Sequence, residues 1–133
     1  MVTKEMKDLI HEIFSSNPRI QRAAIIDLEG NVLIDQLSDS PNPLEINDKL
    51  IMFYYQIGLR RSRREYFNDE YGPVSYVHII REKMQQMTLY LPMITVYLTI
   101  DKEVSPDDAS QIANKIKDLD KDLISSALKS HLF

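Results

Sequence analysis

The stretch from Ile20 to Leu37, IQRAAIIDLEGNVLIDQL, narrows the choice of fold more than any other part of this chain. Two apolar runs, Ala23–Leu28 and Val32–Leu37, flank Glu29-Gly30-Asn31. A short glycine-containing connection between β-branched runs marks a β-hairpin, and Gly30 supplies the positive φ that the turn requires. On the first strand Ala24, Ile26 and Leu28 point one way and Ala23 and Ile25 the other, so both faces need apolar cover. Segments on either side of the hairpin must supply two layers.

The rest of the chain provides them. Met6, Leu9, Ile10, Ile13 and Phe14 share one face of a helix over about Thr3–Ser15, which Asn17-Pro18 stops. After the polar loop Ser38–Asn42, Asn42 reads as an N-cap with Pro43 at the first helical position and Glu45 closing a capping box. The helix that starts there runs to about Tyr66. Asn68–Pro73 is a turn cluster, and Val74–Glu82, Met87–Leu91 and Met93–Ile100 read as a three-stranded meander. Ser105-Pro106-Asp107-Asp108 opens a last helix that continues to about Ser130. The expected fold is one α+β domain over residues 1–133. It has a five-stranded antiparallel sheet with the long helix on one face and the N- and C-terminal helices on the other.

The long helix carries more apolar surface than one sheet contact needs. Ile46, Leu50, Phe53, Tyr54 and Ile57 form a stripe for the sheet, whereas Leu44, Ile51, Tyr55, Gly58 and Leu59 form a second apolar face. Glu45, Lys49, Gln56, Arg60 and Arg63 fill a polar sector between them. The second face calls for another partner, and Gly58 with Ser62 would admit a backbone at close range. Two readings are open: a wedge under loops of the same chain, or contact with a second copy. The dimer reading assigns Leu44, Ile51, Tyr55, Gly58, Leu59 and Ser62 to the interface. Val77 and Ile79 join them, from a third strand expected at the sheet edge and paired with its copy.

The chemistry of the chain points to binding rather than catalysis. With no cysteine, disulfides and thiolate metal sites are excluded, and three glycines leave no phosphate-cradling loop. His11, His78 and His131 have no metal-ligand spacing, and Asp27 and Asp35 flank the hairpin turn as solvating residues. No catalytic, cofactor or metal residue is expected, and no cofactor. A net charge of −4 speaks against nucleic acid as a partner, and the charged N-terminal residues and lack of a long apolar run point to a cytoplasmic protein with no membrane insertion. Within this acidic chain Arg60, Arg61, Arg63 and Arg64 form a dense basic cluster, read either as a solvated helix end or as a contact surface for an acidic partner.

The order of elements, with IIDLEGNVLID, VSYVHIIREKMQQMTLYL and ITVYLTIDKEVSPDDASQIANKIKDL, resembles the roadblock family of dynein light chains and their prokaryotic relatives. The likeness spans almost the whole chain. It departs at Lys83–Gln86, which lacks a glycine often present there, and around Pro92, which is shorter than usual. The resemblance implies a dimer whose long helices pack together and whose sheets join at their third strands. It also implies a non-catalytic scaffold or regulator that binds a Ras-like small GTPase. The alternatives are a longin- or profilin-like trafficking subunit and a small-ligand-sensing domain.

Overall fold

A computed structural model describes residues 2–132. Helix α1 (Lys4–Ser15) leads into strands β1 (Ile20–Asp27) and β2 (Val32–Leu37), then helix α2 (Asp48–Glu65) and the single turn α3 (Asn68–Tyr71). Strands β3 (Tyr76–Ile80), β4 (Gln85–Tyr90) and β5 (Ile94–Ile100) precede helices α4 (Pro106–Lys117) and α5 (Lys121–Leu132). All five strands form one antiparallel sheet in the order β2-β1-β5-β4-β3. The chain therefore has the α+β architecture that the hairpin and its flanking segments require.

The two-sided cover is real. Ala23 and Ile25 are buried with α1, α4 and α5, through Leu9, Ile13, Ile112, Ile116 and Ile124, in the larger core. Ala24 and Ile26 face the other way and are buried with Tyr54, Ile57 and Tyr97 beneath α2. Every residue of β4 and β5 is buried, which explains why these strands read as continuous runs rather than alternating ones. At the hairpin turn Gly30 has φ +89°, and the Asp27 carboxylate accepts from the backbone N–H groups of Glu29 and Asn31, both at 2.9 Å.

Several boundaries differ from the sequence reading, among them the start of β4, which lies at Gln85 rather than Met87 because Gln85 and Gln86 pair with Ile80 and Ile79 of β3. The long helix begins at Asp48 rather than Pro43, because the Asn47 side chain takes the capping role and accepts from the Leu50 N–H at 2.9 Å. The preceding segment is held elsewhere: Leu44 N–H donates to the carbonyl of Asp35 at 2.7 Å, adding a rung beside the outer edge of β2. The last helix is broken in two. The Asp118 N–H closes α4 on the Asn114 carbonyl, and the Asp120 carboxylate accepts from the Asp122 N–H at 2.8 Å, so the Asp120 side chain takes a bond at the break between the two helices. Asn68–Tyr71 forms one helical turn where only a turn cluster was expected.

Candidate functional site

Helix α2 and the edge strand β3 carry most of the residues singled out in the sequence, but the structure divides them between opposite flanks. At about 100° per residue, Phe53, Ile57, Arg60 and Arg64 lie on one flank and Ile51, Tyr55, Gly58 and Ser62 on the other. The first group lines a cavity together with Val77 and Ile79 of β3. The second leans toward the β1–β2 hairpin, where a Cβ added to Gly58 would stand 2.6 Å from the Cα of Gly30. The backbone that Gly58 admits is thus that of its own hairpin, not a second helix. Leu44 lies outside the helix altogether, so the eight residues assigned to one interface do not form one patch.

Three large apolar side chains of α2 stay exposed beside its polar ones. Ile51, Met52 and Tyr55 are 51%, 58% and 48% exposed, and Leu28 of the hairpin turn is exposed alongside. Leu59 is half-buried and Ser62 exposed, completing an outward surface that also presents Arg63. Met52 was assigned to neither apolar stripe, although its spacing from Tyr55 and Leu59 is helical.

Strand β3 is a free edge. The Arg81 N–H donates to Met84 and the Tyr90 N–H to Ser75, so in the antiparallel register Ser75, Val77, Ile79 and Arg81 are the residues bonded to β4. Tyr76, His78 and Ile80 direct their N–H groups away from the sheet. Ile80 is 74% exposed and Ile79 also stands in solvent. The strand is shorter than the expected Val74–Glu82, and its edge position agrees with the sequence reading.

The four arginines of the basic cluster have unlike surroundings. Arg61 is buried and is not a surface cation: Nη1 donates to the Ile94 carbonyl (2.7 Å) and Thr95 Oγ1 (3.0 Å), and Nη2 to the Leu91 carbonyl (2.7 Å). Burial lowers its pKa from the ordinary value, with Glu65 opposing the shift. Its guanidinium clamps the β4–β5 turn, in which Met93 takes φ +73°. That clamp accounts for a tight turn around Pro92. Arg64 is half-buried and donates to Tyr90 Oη at 2.6 Å, whereas Arg60 and Arg63 are exposed.

Of the two acids read as solvating the hairpin turn, Asp27 stays at the turn, whereas Asp35 is buried beneath α2. Asp35 is fully buried and accepts from Arg22 Nε (2.8 Å) and Nη2 (2.5 Å) and from Tyr54 Oη (2.7 Å). The hydrogen bond to Asp35 raises the Arg22 pKa, while burial and then the same carboxylate raise that of Tyr54. Asp27 is committed to the hairpin turn, and His78 Nε2 shares a 2.6 Å hydrogen bond with Gln85 Oε1. Among the described residues no group of acids and histidines is arranged to hold a metal ion, and no helix is long and apolar enough to cross a membrane.

No protein-family profile and no curated protein sequence matches the chain. Solved structures do. An MglB structure with a tetrameric arrangement superposes with a TM-score of 0.72 at 10% identity, covering 96% of this chain and 95% of its own. Myxococcus xanthus MglB gives 0.68 at 9% identity over 98% of this chain and 95% of its own. A Roadblock/LC7 domain from Streptomyces avermitilis gives 0.61 at 11% identity, covering 94% and 96%. The fold is therefore that of MglB and Roadblock/LC7 domains, as the sequence resemblance implied.

Proposed function

We propose that two copies of this chain join edge to edge along β3 to form a cytoplasmic, non-catalytic platform for a Ras-like small GTPase. The observation that carries the reading is the free edge of β3, where Tyr76, His78 and Ile80 leave their N–H groups without a strand neighbour and Ile79 and Ile80 are exposed. Such an edge is an aggregation hazard unless it is paired. The shared fold supports the reading, because the resemblance to roadblock proteins implies sheets joined at this strand. The commitment of Asp27 and Asp35 to structural bonds supports a non-catalytic role.

In this arrangement the β3 flank of each α2 faces its copy and the outward side stays open. Met52, Tyr55 and Leu59 supply the apolar part of the docking surface with Arg63 beside them, and Arg60, exposed on the β3 flank, adds to the positive field on an acidic particle. Val77 and Ile79 then belong to the joined edge. Such a field acts mainly on association rate and weakens with salt.

The test is the association kinetics of a Ras-like GTPase encoded beside this chain, loaded in turn with each nucleotide. Reversing Arg60 and Arg63 together slows association at low ionic strength while the dimer persists, and Tyr55→Asp abolishes binding. An unchanged association rate in the double reversal, or no binding in either nucleotide state, overturns the proposal.

A further inference from the structure

The cavity between α2 and the outer strands β3 and β4 has a volume of about 260 Å³ and is walled by Phe53, Ile57, Val77 and Ile79. Arg60, Arg64 and Arg81 line it, and no carboxylate does. The ion pairs found among the described residues include none of these three arginines. On a chain where 20 acidic residues outnumber 16 lysines and arginines, three guanidinium groups are gathered without a counter-charge. We propose that this cavity binds a small polyanion, carrying phosphate or carboxylate groups on a short apolar body.

Two of the three donors are held in place. Arg64 Nη1 donates to Tyr90 Oη and Arg81 Nε to Gln86 Oε1, both at 2.6 Å. Gln86 in turn donates through Nε2 to Tyr97 Oη at 2.6 Å. Gln86, Tyr90 and Tyr97 are all more than nine-tenths buried, so the floor of the cavity is a fixed polar frame. Each of these arginines uses one of its five N–H donors in the frame, which leaves others for a ligand. No hydrogen bond donated by the Tyr97 hydroxyl is found among the described residues, so it adds a further donor at the floor.

The size and lining select the ligand class. About 260 Å³ lies below the range of about 300–1,000 Å³ typical of pockets for drug-sized ligands, which favours a compact anion over a nucleotide. Guanidinium forks bind phosphate and carboxylate oxygens in pairs, so a ligand with several such oxygens gains over chloride. The apolar walls accept a short hydrocarbon or aromatic body. All the lining residues come from one chain, and through Val77 and Ile79 the cavity borders the edge at which the second copy is proposed to join.

Calorimetric titration of the full chain with pyrophosphate, phenyl phosphate and citrate, at constant ionic strength, tests the proposal. At least one probe binds saturably with one site per chain, and the preference between phosphate and citrate identifies the anionic group. Arg60→Gln and Arg81→Gln each weaken binding on the order of tenfold, as expected for loss of a charge-assisted bond. Arg60 is exposed and in no ion pair, so its replacement leaves the fold intact, which circular dichroism verifies. Lys102→Gln, which is not part of the cavity lining, binds as the wild type does. Absence of saturable binding by all three probes, undiminished binding in either Arg60→Gln or Arg81→Gln, or equal weakening in Lys102→Gln overturns the proposal.

Discussion

Replacing Gly58 with alanine sets two opposing effects against each other, and the sign of the result reports whether α2 rests on the hairpin. Helix propensity alone favours alanine in a helix interior by about 1 kcal/mol. The structure opposes this, because the new Cβ would lie 2.6 Å from the Gly30 Cα and 3.1 Å from its nitrogen. Carbon atoms in contact sit about 3.5–4.0 Å apart, so helix and hairpin must separate by about 1 Å. Overpacking costs about 1–3 kcal/mol, and the upper part applies here because both sides are backbone and neither can rotate away. After the propensity gain, Gly58→Ala should destabilise by about 1–2 kcal/mol, or roughly 4–8 °C in Tm. Thermal unfolding followed by circular dichroism reads this directly, with light scattering showing that the oligomeric state is unchanged. A variant as stable as the wild type or more so would refute the helix–hairpin contact, and a variant that only dissociates would return Gly58 to an intersubunit role.

Two further outcomes follow from the buried polar groups. Arg61→Met keeps an apolar stem but leaves the Leu91 and Ile94 carbonyls without their donor, so it should cost about 3 kcal/mol, read as a lower urea midpoint. Tyr54 and Tyr97 stay protonated in the folded chain because burial raises their pKa values, whereas an unfolded tyrosine ionises near pH 10. Their contribution is therefore complete below about pH 10 and is lost as pH rises through the folded values. Tyr54→Phe should lower stability at pH 7 by about 1.5 kcal/mol and flatten the decline above pH 10, as measured by urea titrations across that range.

Much of the fold was legible because its signals are local and periodic. The hairpin around Gly30, the stop at Pro18 and the start at Ser105-Pro106 each depend on a few adjacent residues. The start of α2 was misread because Asn42-Pro43 and Asn47-Asp48 are both good caps. Only the long-range bond from Leu44 to Asp35 decides between them. The candidate site was less legible for the same reason. Periodicity shows that Gly58 faces something but not that the something is Gly30, and composition cannot distinguish the buried Arg61 from the exposed Arg60 next to it. Arg61 did lie on the sheet-facing stripe, which was a usable sign of its burial. Arg81 joins the α2 arginines only through the pairing of β3 with β4, which no local pattern reveals.

The central claim is that the β3 edge joins two copies of this chain, and His78→Pro tests it without breaking the strand's own ladder. The His78 N–H points away from β4, so proline there blocks an incoming strand while Val77 and Ile79 keep their bonds. The substitution also removes the hydrogen bond to Gln85, which keeps its donation to the Val104 carbonyl at 2.8 Å. Light scattering of both proteins at matched concentration gives the answer. The account predicts twice the 15.5 kDa chain mass for the wild type and a single chain mass for His78→Pro with its circular dichroism retained. A wild type of 15.5 kDa, or a His78→Pro variant that remains dimeric, would contradict it.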